Sequence, residues 1–208
     1  MISSLTSDAL SEKDSALIPV EIRKAAMRDI APLLALINGY ASRGIMLPRT
    51  EFEISESIRD FSVAISDGKL VGCGALHFYS PSVGEVRSLA VEESAKTRGV
   101  GRRMVEWLMA EARAYALDAV FAFTYVPEFF HKMGFEVTER GILPLKAWKD
   151  CLRCPKFQYC DEIAMVCVLE PDRWAGAAPQ TWVDDIHNCV SDGDLISLPI
   201  VQSRTPPW

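Results

Sequence analysis

The sequence Lys96-Thr97-Arg98-Gly99-Val100-Gly101-Arg102-Arg103 lies between a strand-like run at residues 86–91 and a helix-like run at residues 102–116. Two glycines allow the backbone to approach a ligand closely, and the first turn of a helix leaves N–H groups without intrahelical partners. The helix dipole favours an anion at this point, and four basic side chains add positive charge. The segment therefore predicts a strand–turn–helix unit that binds a pyrophosphate. The alternative is an ordinary β-to-α turn whose cations face solvent.

The spacing of this turn is also similar to a known family signature. Lys96-x-x-Gly99-x-Gly101 resembles the Gln/Arg-x-x-Gly-x-Gly/Ala motif of the GNAT superfamily of N-acetyltransferases, with Lys96 in place of the usual Gln or Arg. A second segment, residues 127–135, is similar to the short helix and Gly-Phe turn that the family places beside the pantetheine arm of coenzyme A. The two landmarks stand in the order that the family shows.

Within the superfamily, the chain resembles the short, stand-alone amino-acid acetyltransferases of arginine biosynthesis, which are N-acetylglutamate synthases without a kinase-like domain. This resemblance extends over about residues 20–169 and is most distinctive at residues 44–49, 84–91 and 143–151. It implies an α/β protein with the GNAT acetyltransferase fold, a mixed central sheet flanked by helices.

The resemblance also implies which residues bind acetyl-CoA, the acetyl donor of the family. They come from the strand before the basic turn, from the turn itself and from the second segment: Leu89, Ala90, Val91, Lys96, Thr97, Arg98, Gly99, Val100, Gly101, Arg102 and Phe129. A backbone N–H of the strand at residues 89–91 is expected to hold the carbonyl oxygen of the thioester.

Acetyl transfer from a thioester to an amine needs a base for the amine and a stable leaving thiolate. Glu85 is the candidate base, and the alternative is a surface carboxylate or an ion-pair partner of Arg87. Many family members carry, where Phe130 stands here, a Tyr that protonates the thiolate. Thr124 and Tyr125, at the end of the preceding predicted strand, are the candidate substitutes. The resemblance favours Thr124, because the synthases carry a hydroxyl residue there.

The acceptor is predicted from the basic residues. A guanidinium binds a carboxylate through two parallel hydrogen bonds. Arg49 stands where the related synthases place a glutamate-binding Arg, and Arg87 and Lys146 are secondary candidates. The predicted reaction is acetylation of the α-amine of L-glutamate. The alternatives are an acetyltransferase for another amine, namely a different amino acid, a protein N-terminus or a polyamine, and a non-catalytic CoA-binding sensor.

Local patterns predict the element order β-α-α-β-β-β-α-β-α-β-β. Asp29 is predicted to cap the first helix, and Thr50-x-x-Glu53 is a capping-box pattern for the second. The helix after the basic turn is predicted to bury an apolar stripe that ends at Tyr115.

Length and charge limit the remaining choices. The chain has 208 residues, 49% of them hydrophobic, and a formal net charge of −6. This size predicts one domain at residues 20–171, between a mobile N-terminal tail at residues 1–19 and an irregular extension at residues 172–208. The acidic balance disfavours nucleic-acid binding, and no apolar run is long enough to cross a bilayer. We therefore expect a cytoplasmic protein, and a homodimer by analogy with the family.

Three of the six cysteines are clustered as Cys151-x-x-Cys154-x5-Cys160. Zinc is usually bound tetrahedrally by four ligands, and this cluster supplies three. A fourth ligand would have to come from a partner chain or from one of three other side chains: Asp161, His131 or Cys167. The two interpretations are a structural zinc ion and reduced cysteines in an ordered loop.

Overall fold

A computed structural model of the chain describes residues 20–143, 151–152 and 154–174. Its strands are β1 Glu21–Lys24, β2 Phe61–Ser66, β3 Lys69–Phe78, β4 Val83–Val91, β5 Ala119–Thr124, β6 Glu136–Val137 and β7 Ile163–Val168. They form one seven-stranded sheet in the order β1-β2-β3-β4-β5-β7-β6. Neighbouring strands are antiparallel except β4 and β5, which are parallel. The predicted mixed sheet is therefore confirmed.

Helices cover both faces of this sheet, and they are α1 Ile30–Ala41, α2 Glu51–Glu56, α3 Val100–Ala114 and α4 Pro127–His131. One core joins Leu33 of α1 and Ile54 of α2 to residues of β2 and β3. The other core joins Leu108 of α3 and Phe130 of α4 to β4, β5 and β7. With short 3-10 turns set aside, the observed order of elements is the predicted one.

Small residues in β3 allow α3 to lie close to the sheet. A Cβ atom at Gly72 would lie 3.1 Å from Cγ1 of Val100, the first residue of α3, and one at Gly74 would lie 3.0 Å from Cδ1 of Leu108. Such distances are shorter than normal packing allows, so larger side chains in β3 would push the helix outwards. The distance between the N-terminus of α3 and the sheet thus depends on the absence of side chains at Gly72 and Gly74.

The capping-box prediction for α2 is confirmed. Thr50 Oγ1 accepts a hydrogen bond from the N–H of Glu53 at 3.2 Å, and Glu53 Oε2 accepts one from the N–H of Thr50 at 2.8 Å. Because Thr50 and Glu53 are close in sequence, the local sequence pattern was enough to predict these two hydrogen bonds.

Two local predictions are wrong. The side chain of Asp29 does not cap α1, because its carboxylate pairs with the guanidinium of Arg23 at 2.7 Å and accepts from the N–H of Ala26 at 2.8 Å. The Arg23 hydrogen bond lowers the pKa of Asp29. Tyr115 is 61% exposed rather than buried, since α3 ends at Ala114 and the next residue has left the helical stripe.

The separation of β4 from β5 creates the main cleft. The two strands pair at three positions, from Val83 with Ala119 to Glu85 with Phe121. Beyond Glu85 no further pair joins these two strands, although both continue. In the same part of β4, Ser88 has a φ of 52° within a bulge opposite Gly74. A bulge bends its strand, and a positive φ in a non-glycine residue marks a specialised backbone.

Candidate active site

A cavity of about 430 Å³ lies where β4 and β5 separate. Five parts of the chain form its wall: the loop after α1, the middle of β4, the end of β5, helix α4 and the segment before β7. The residues that line it include Arg49, Glu85, Arg87, Leu89, Thr124, Tyr125, Phe130, Arg140, Cys151, Cys154, Lys156, Cys160 and Glu162. The structure therefore brings Glu85, Thr124, Tyr125, Arg49 and Arg87 together, although they are far apart in sequence.

Glu85 lines the cavity and stands at the last position where β4 pairs with β5. It is 9% exposed, so the alternative of a surface carboxylate is excluded. The phenol of Tyr79 donates a hydrogen bond to Glu85 Oε2 at 2.9 Å. The sequence analysis missed Tyr79, which is separated from the start of β4 by residues 80–82 and whose N–H donates to the carbonyl of Val83 at 2.9 Å. A carboxylate held in this way can accept a proton from a molecule in the cavity.

Arg49 also lines the cavity, in a loop whose backbone is held to α1 by the side chain of Asn38. The side-chain amide of Asn38 donates to the carbonyl oxygen of Arg49 at 2.9 Å, and Asn38 Oδ1 accepts from the N–H of Arg49 at 2.9 Å. The side-chain amide of Asn38 thus both donates to and accepts from the backbone of Arg49, as a neighbouring β-strand would, and this fixes the position of that backbone. A guanidinium there can bind a carboxylate within the cavity.

Arg87 lines the same cavity but belongs to a polar cluster behind it. Its Nη2 atom lies 3.9 Å from Oδ2 of Asp60, and the same oxygen lies 2.6 Å from Nδ1 of His77. His77 is paired across β3 and β4 with Glu85. Part of the charge of Arg87 is therefore balanced within the protein. Lys146, the third predicted cation, lies outside the described residues.

The two candidate proton donors differ in their surroundings. Thr124 is buried, and its Oγ1 accepts a hydrogen bond from the N–H of Val126 at 3.0 Å, so the proton of the hydroxyl is not used in that bond. The phenol of Tyr125 donates to Asp161 at 3.0 Å and accepts from Lys156 at 3.2 Å. Burial raises the pKa of Tyr125. Thr124 therefore has the hydroxyl better placed to protonate a thiolate, while Phe130 is packed in the core without a polar group.

The segment before β7 contributes cavity residues that sequence analysis did not assign to a site. Arg140 Nη2 donates to the carbonyl oxygens of Cys160, at 3.2 Å, and of Glu162. Arg140 thereby holds this segment against the cavity. These contacts join residues about twenty positions apart, and no local spacing in the sequence indicates them.

The structure does not support a structural zinc ion, which was one of the two interpretations of the cysteine cluster. Within the described ranges, no three His, Cys, Asp or Glu side chains are grouped so that they could hold a metal ion. Burial raises the pKa of Cys151 to about 11, which favours a protonated thiol, whereas zinc binds thiolates. Cys151, Cys154 and Cys160 instead line the cavity, and all three are free cysteines.

The basic turn has the geometry of an anion site at the start of a long helix. Gly99 has a φ of 74°, which glycine adopts without strain, and it links the 3-10 helix Glu93–Arg98 to α3. Its carbonyl accepts the N–H of Arg103 at 3.1 Å, the first bond of the helix. The N–H groups of the preceding turn of α3 have no acceptor within the helix and can bind an anion.

The cations of the turn are not equally available to an anion. Lys96 lies 2.9 Å from Glu93, and Arg102 lies 2.8 Å from Glu106. Arg98 is exposed and makes no hydrogen bond or ion pair to any residue that the structure describes. Arg98 is therefore the side chain most accessible to a phosphate group.

Strand β4 connects the turn to the cavity. Leu89 lines the cavity, and a Cβ atom at Gly101 would lie 3.7 Å from Val91, at the end of the strand, and 3.6 Å from the ring of Phe129. The phenol of Tyr40 donates to the carbonyl of Val91 at 2.5 Å and fixes this end of the strand to α1. The residues predicted to bind the cofactor thus lie along one path from the cavity to the helix N-terminus.

Comparisons with known proteins agree with this arrangement. A family model described as the acetyltransferase (GNAT) family matches residues 36–135. An uncharacterised N-acetyltransferase of Chlorobaculum tepidum is 42% identical over 148 residues, which are 71% of this chain and 96% of that protein. The amino-acid acetyltransferase of Mycobacterium tuberculosis is 35% identical over 121 residues, 57% of this chain and 69% of that protein.

Solved structures show the same fold. The N-acetylglutamate synthase of Neisseria gonorrhoeae, in complex with coenzyme A and N-acetyl-glutamate, has a TM-score of 0.66 and 31% identity. The match covers 73% of this chain and 35% of that one, so this chain spans about a third of the synthase. A Mycobacterium tuberculosis protein in complex with CoA has a TM-score of 0.63 and 28% identity, with 72% of this chain and 99% of that one covered. No helix among the described residues is long and apolar enough to cross a membrane.

Proposed function

The chain belongs to the GNAT family of acetyltransferases, and on that premise we propose that it transfers the acetyl group of acetyl-CoA to the α-amine of L-glutamate. It is an N-acetyltransferase related to the amino-acid acetyltransferases, so the prediction of an acyltransferase is confirmed. The observation that carries the proposed reaction is the convergence of Glu85 and Arg49 on one cavity where β4 and β5 separate. The same relatives disfavour a non-catalytic sensor.

The cofactor site in this proposal runs from the cavity along β4 to the basic turn. The N–H groups at the start of α3 and the side chain of Arg98 hold the pyrophosphate. Gly99 and Gly101 keep the backbone accessible, and a backbone N–H of residues 89–91 supports the thioester oxygen. The solved structures of two relatives contain coenzyme A, which supports acetyl-CoA as the donor.

The residues of the cavity supply the proton transfers. Amines of amino acids are mostly protonated at neutral pH, so Glu85 removes one proton from the acceptor, directly or through a water molecule. The amine nitrogen then forms a bond to the acetyl carbon while the carbon–sulfur bond breaks and its electron pair stays on sulfur. The attacking nitrogen must lose a second proton to become an amide, and Thr124 relays it: the hydroxyl gives its proton to the departing thiolate and takes one up from the nitrogen, directly or through a water molecule.

L-glutamate is the proposed acceptor because Arg49 offers its carboxylates a bidentate partner. The names of the relatives also support an amino acid: amino-acid acetyltransferase in one case and N-acetylglutamate synthase in another. A polyamine would need a wall dominated by carboxylates, whereas this wall contains Arg49, Arg87 and Arg140. Another amino acid is the second candidate, because the Chlorobaculum tepidum relative has no assigned substrate.

The domain bounds, the cellular location, the pathway and the assembly of the protein belong to the same proposal. The acetyltransferase domain comprises residues 20–171, acts in the cytoplasm in arginine biosynthesis and forms a homodimer. Neither nucleic acid nor a membrane is a partner. Size-exclusion chromatography with light scattering tests the assembly, and a monomer at micromolar concentration would contradict it.

Substitution of Arg49 tests the acceptor assignment. We expect Arg49→Ala to raise KM for glutamate by about ten- to a hundredfold, because a charged hydrogen-bonding partner is lost, while KM for acetyl-CoA is unchanged. Arg49→Lys should restore part of the loss, since a point charge lacks the bidentate geometry. Release of free thiol from acetyl-CoA measures both constants. An unaltered KM for glutamate in Arg49→Ala would show that Arg49 does not bind the acceptor.

A further inference from the structure

One carboxylate on the cavity wall has no role in the reaction described so far. Glu162 directly precedes β7, whose first residue, Ile163, pairs with Thr124. Glu162 therefore lies beside the end of β5, and both Glu162 and Glu85 line the cavity. It is half-buried, so its charge is only partly solvated.

The charge of Glu162 is only partly balanced by the residues that the structure describes, of which Arg140 and Lys156 attract it. The guanidinium of Arg140 donates to the backbone carbonyl of Glu162, whereas the carboxylate itself is contacted by the thiol of Cys160 at 3.9 Å. Lys156 is held by Asp161 at 3.2 Å. No side chain in the described ranges forms an ion pair with Glu162. A buried charge is stable only when it is paired, so this carboxylate suits a cationic occupant of the cavity.

We propose that Glu162 binds the ammonium group of the acceptor in the cavity, before Glu85 removes its proton. This inference rests on the proposed function and adds a specificity residue to it. With Arg49 on one wall and Glu162 on another, the cavity offers one cation and one anion to the same small molecule. This arrangement fits a zwitterionic α-amino acid, and it disfavours both a plain carboxylic acid and a polyamine.

The charged groups around Glu162 give the inference a pH dependence. Burial raises the pKa of Glu162 and Asp161 raises it further, while Arg140 and Lys156 lower it. Two other titratable groups, Cys151 and Glu85, line the same cavity. A carboxylate with a raised pKa is protonated earlier as the pH falls. Binding of the ammonium is therefore lost as the pH falls through this raised pKa, and it is complete above it. This loss appears in KM for the acceptor, whereas the loss of the base appears in kcat.

Glu162→Gln tests the inference, because it keeps the size of the side chain and removes the charge. We expect KM for glutamate to rise by about ten- to a hundredfold with KM for acetyl-CoA unchanged. The acid-side rise of KM expected in the wild type should also disappear. Glu136→Gln is the matched control, because Glu136 is exposed, contacts His131 and does not line the cavity. This control should keep its KM for glutamate within about twofold.

A binding measurement provides a second test that needs no turnover. Glutarate has both carboxylates of glutamate but lacks the amine, so the wild type should bind glutamate more tightly than glutarate, and Glu162→Gln should bind both with similar affinity. Convergence of the two affinities supports the inference. An unchanged preference for glutamate in Glu162→Gln, or an unchanged KM, overturns it and leaves the proposed function standing. A wild type that neither binds nor acetylates glutamate overturns both.

Discussion

The chemistry of the cavity depends on how single side chains are held. The phenol of Tyr79 donates to Glu85, while its ring packs against Phe121 with 5.4 Å between the ring centroids. The packing fixes the phenol, and the phenol limits rotation of the carboxylate. Orientation of a base contributes to rate because a small displacement of the accepting oxygen weakens proton transfer. Tyr79 is therefore a positioning residue, and Glu85 is the catalytic residue that it orients.

Glu85→Gln removes basicity and keeps the shape of the side chain. We expect kcat to fall by about 10²-fold or more at neutral pH and to recover partly at high pH, where the acceptor amine loses its proton in solution. Tyr79→Phe removes only the hydrogen bond to the base and should lower kcat by about tenfold at most, with both KM values unchanged.

Profiles of kcat against pH distinguish a catalytic role of Glu85, and a positioning role of Tyr79, from a purely structural role of either residue. Tyr115→Phe is the matched control for Tyr79→Phe, because Tyr115 is exposed just beyond α3, away from the cavity. A wild-type profile in folded Glu85→Gln would show that Glu85 is not the base.

The element that matters most for the cofactor is the unit formed by β4, the basic turn and α3. The turn presents a positive-φ glycine, a helix N-terminus and the exposed side chain of Arg98 at one place. Close packing of Val100 over Gly72 fixes where the helix begins relative to the sheet. The binding site for the pyrophosphate is thus a property of the whole unit rather than of one residue.

Gly101→Glu tests this unit by placing bulk and negative charge at the helix N-terminus. We expect binding of acetyl-CoA to be abolished, because the glutamate side chain repels the pyrophosphate and occupies its space. Gly101→Ala is the matched control: its Cβ would lie 3.6 Å from Phe129, an ordinary contact, so the fold should be retained. Isothermal titration with acetyl-CoA measures the affinities, and unchanged affinity in folded Gly101→Glu would place the cofactor elsewhere.

The elements also show where sequence reasoning succeeds. The capping box of Thr50 and Glu53 and the turn at Gly99 were predictable because their partners are close in sequence. The prediction for Asp29 was wrong because Arg23, on a different element, competes for the carboxylate more strongly than the helix N-terminus. A local pattern determines structure only while no tertiary partner offers a stronger interaction.

The protein as a whole assembles the cavity from parts that are distant in sequence. The resemblance to a family indicated Glu85, Thr124 and Arg49, and in the structure all three line the same cavity. Glu162 and Arg140 could not be found from spacing, because they reach the cavity only after β7 pairs with β5. The sequence therefore predicted the catalytic side of the cavity better than the side formed by the segment before β7.

The identity of the acceptor is tested most directly by a competition experiment with the full chain. Acetyl-CoA is supplied together with an equimolar mixture of the twenty common amino acids and spermidine, and the acetylated products are identified by mass spectrometry while free thiol is measured. We expect N-acetylglutamate to be the main product, with thiol release equal to product formed. Acetylation of spermidine in preference to every amino acid, or no product at all, would contradict the proposed function.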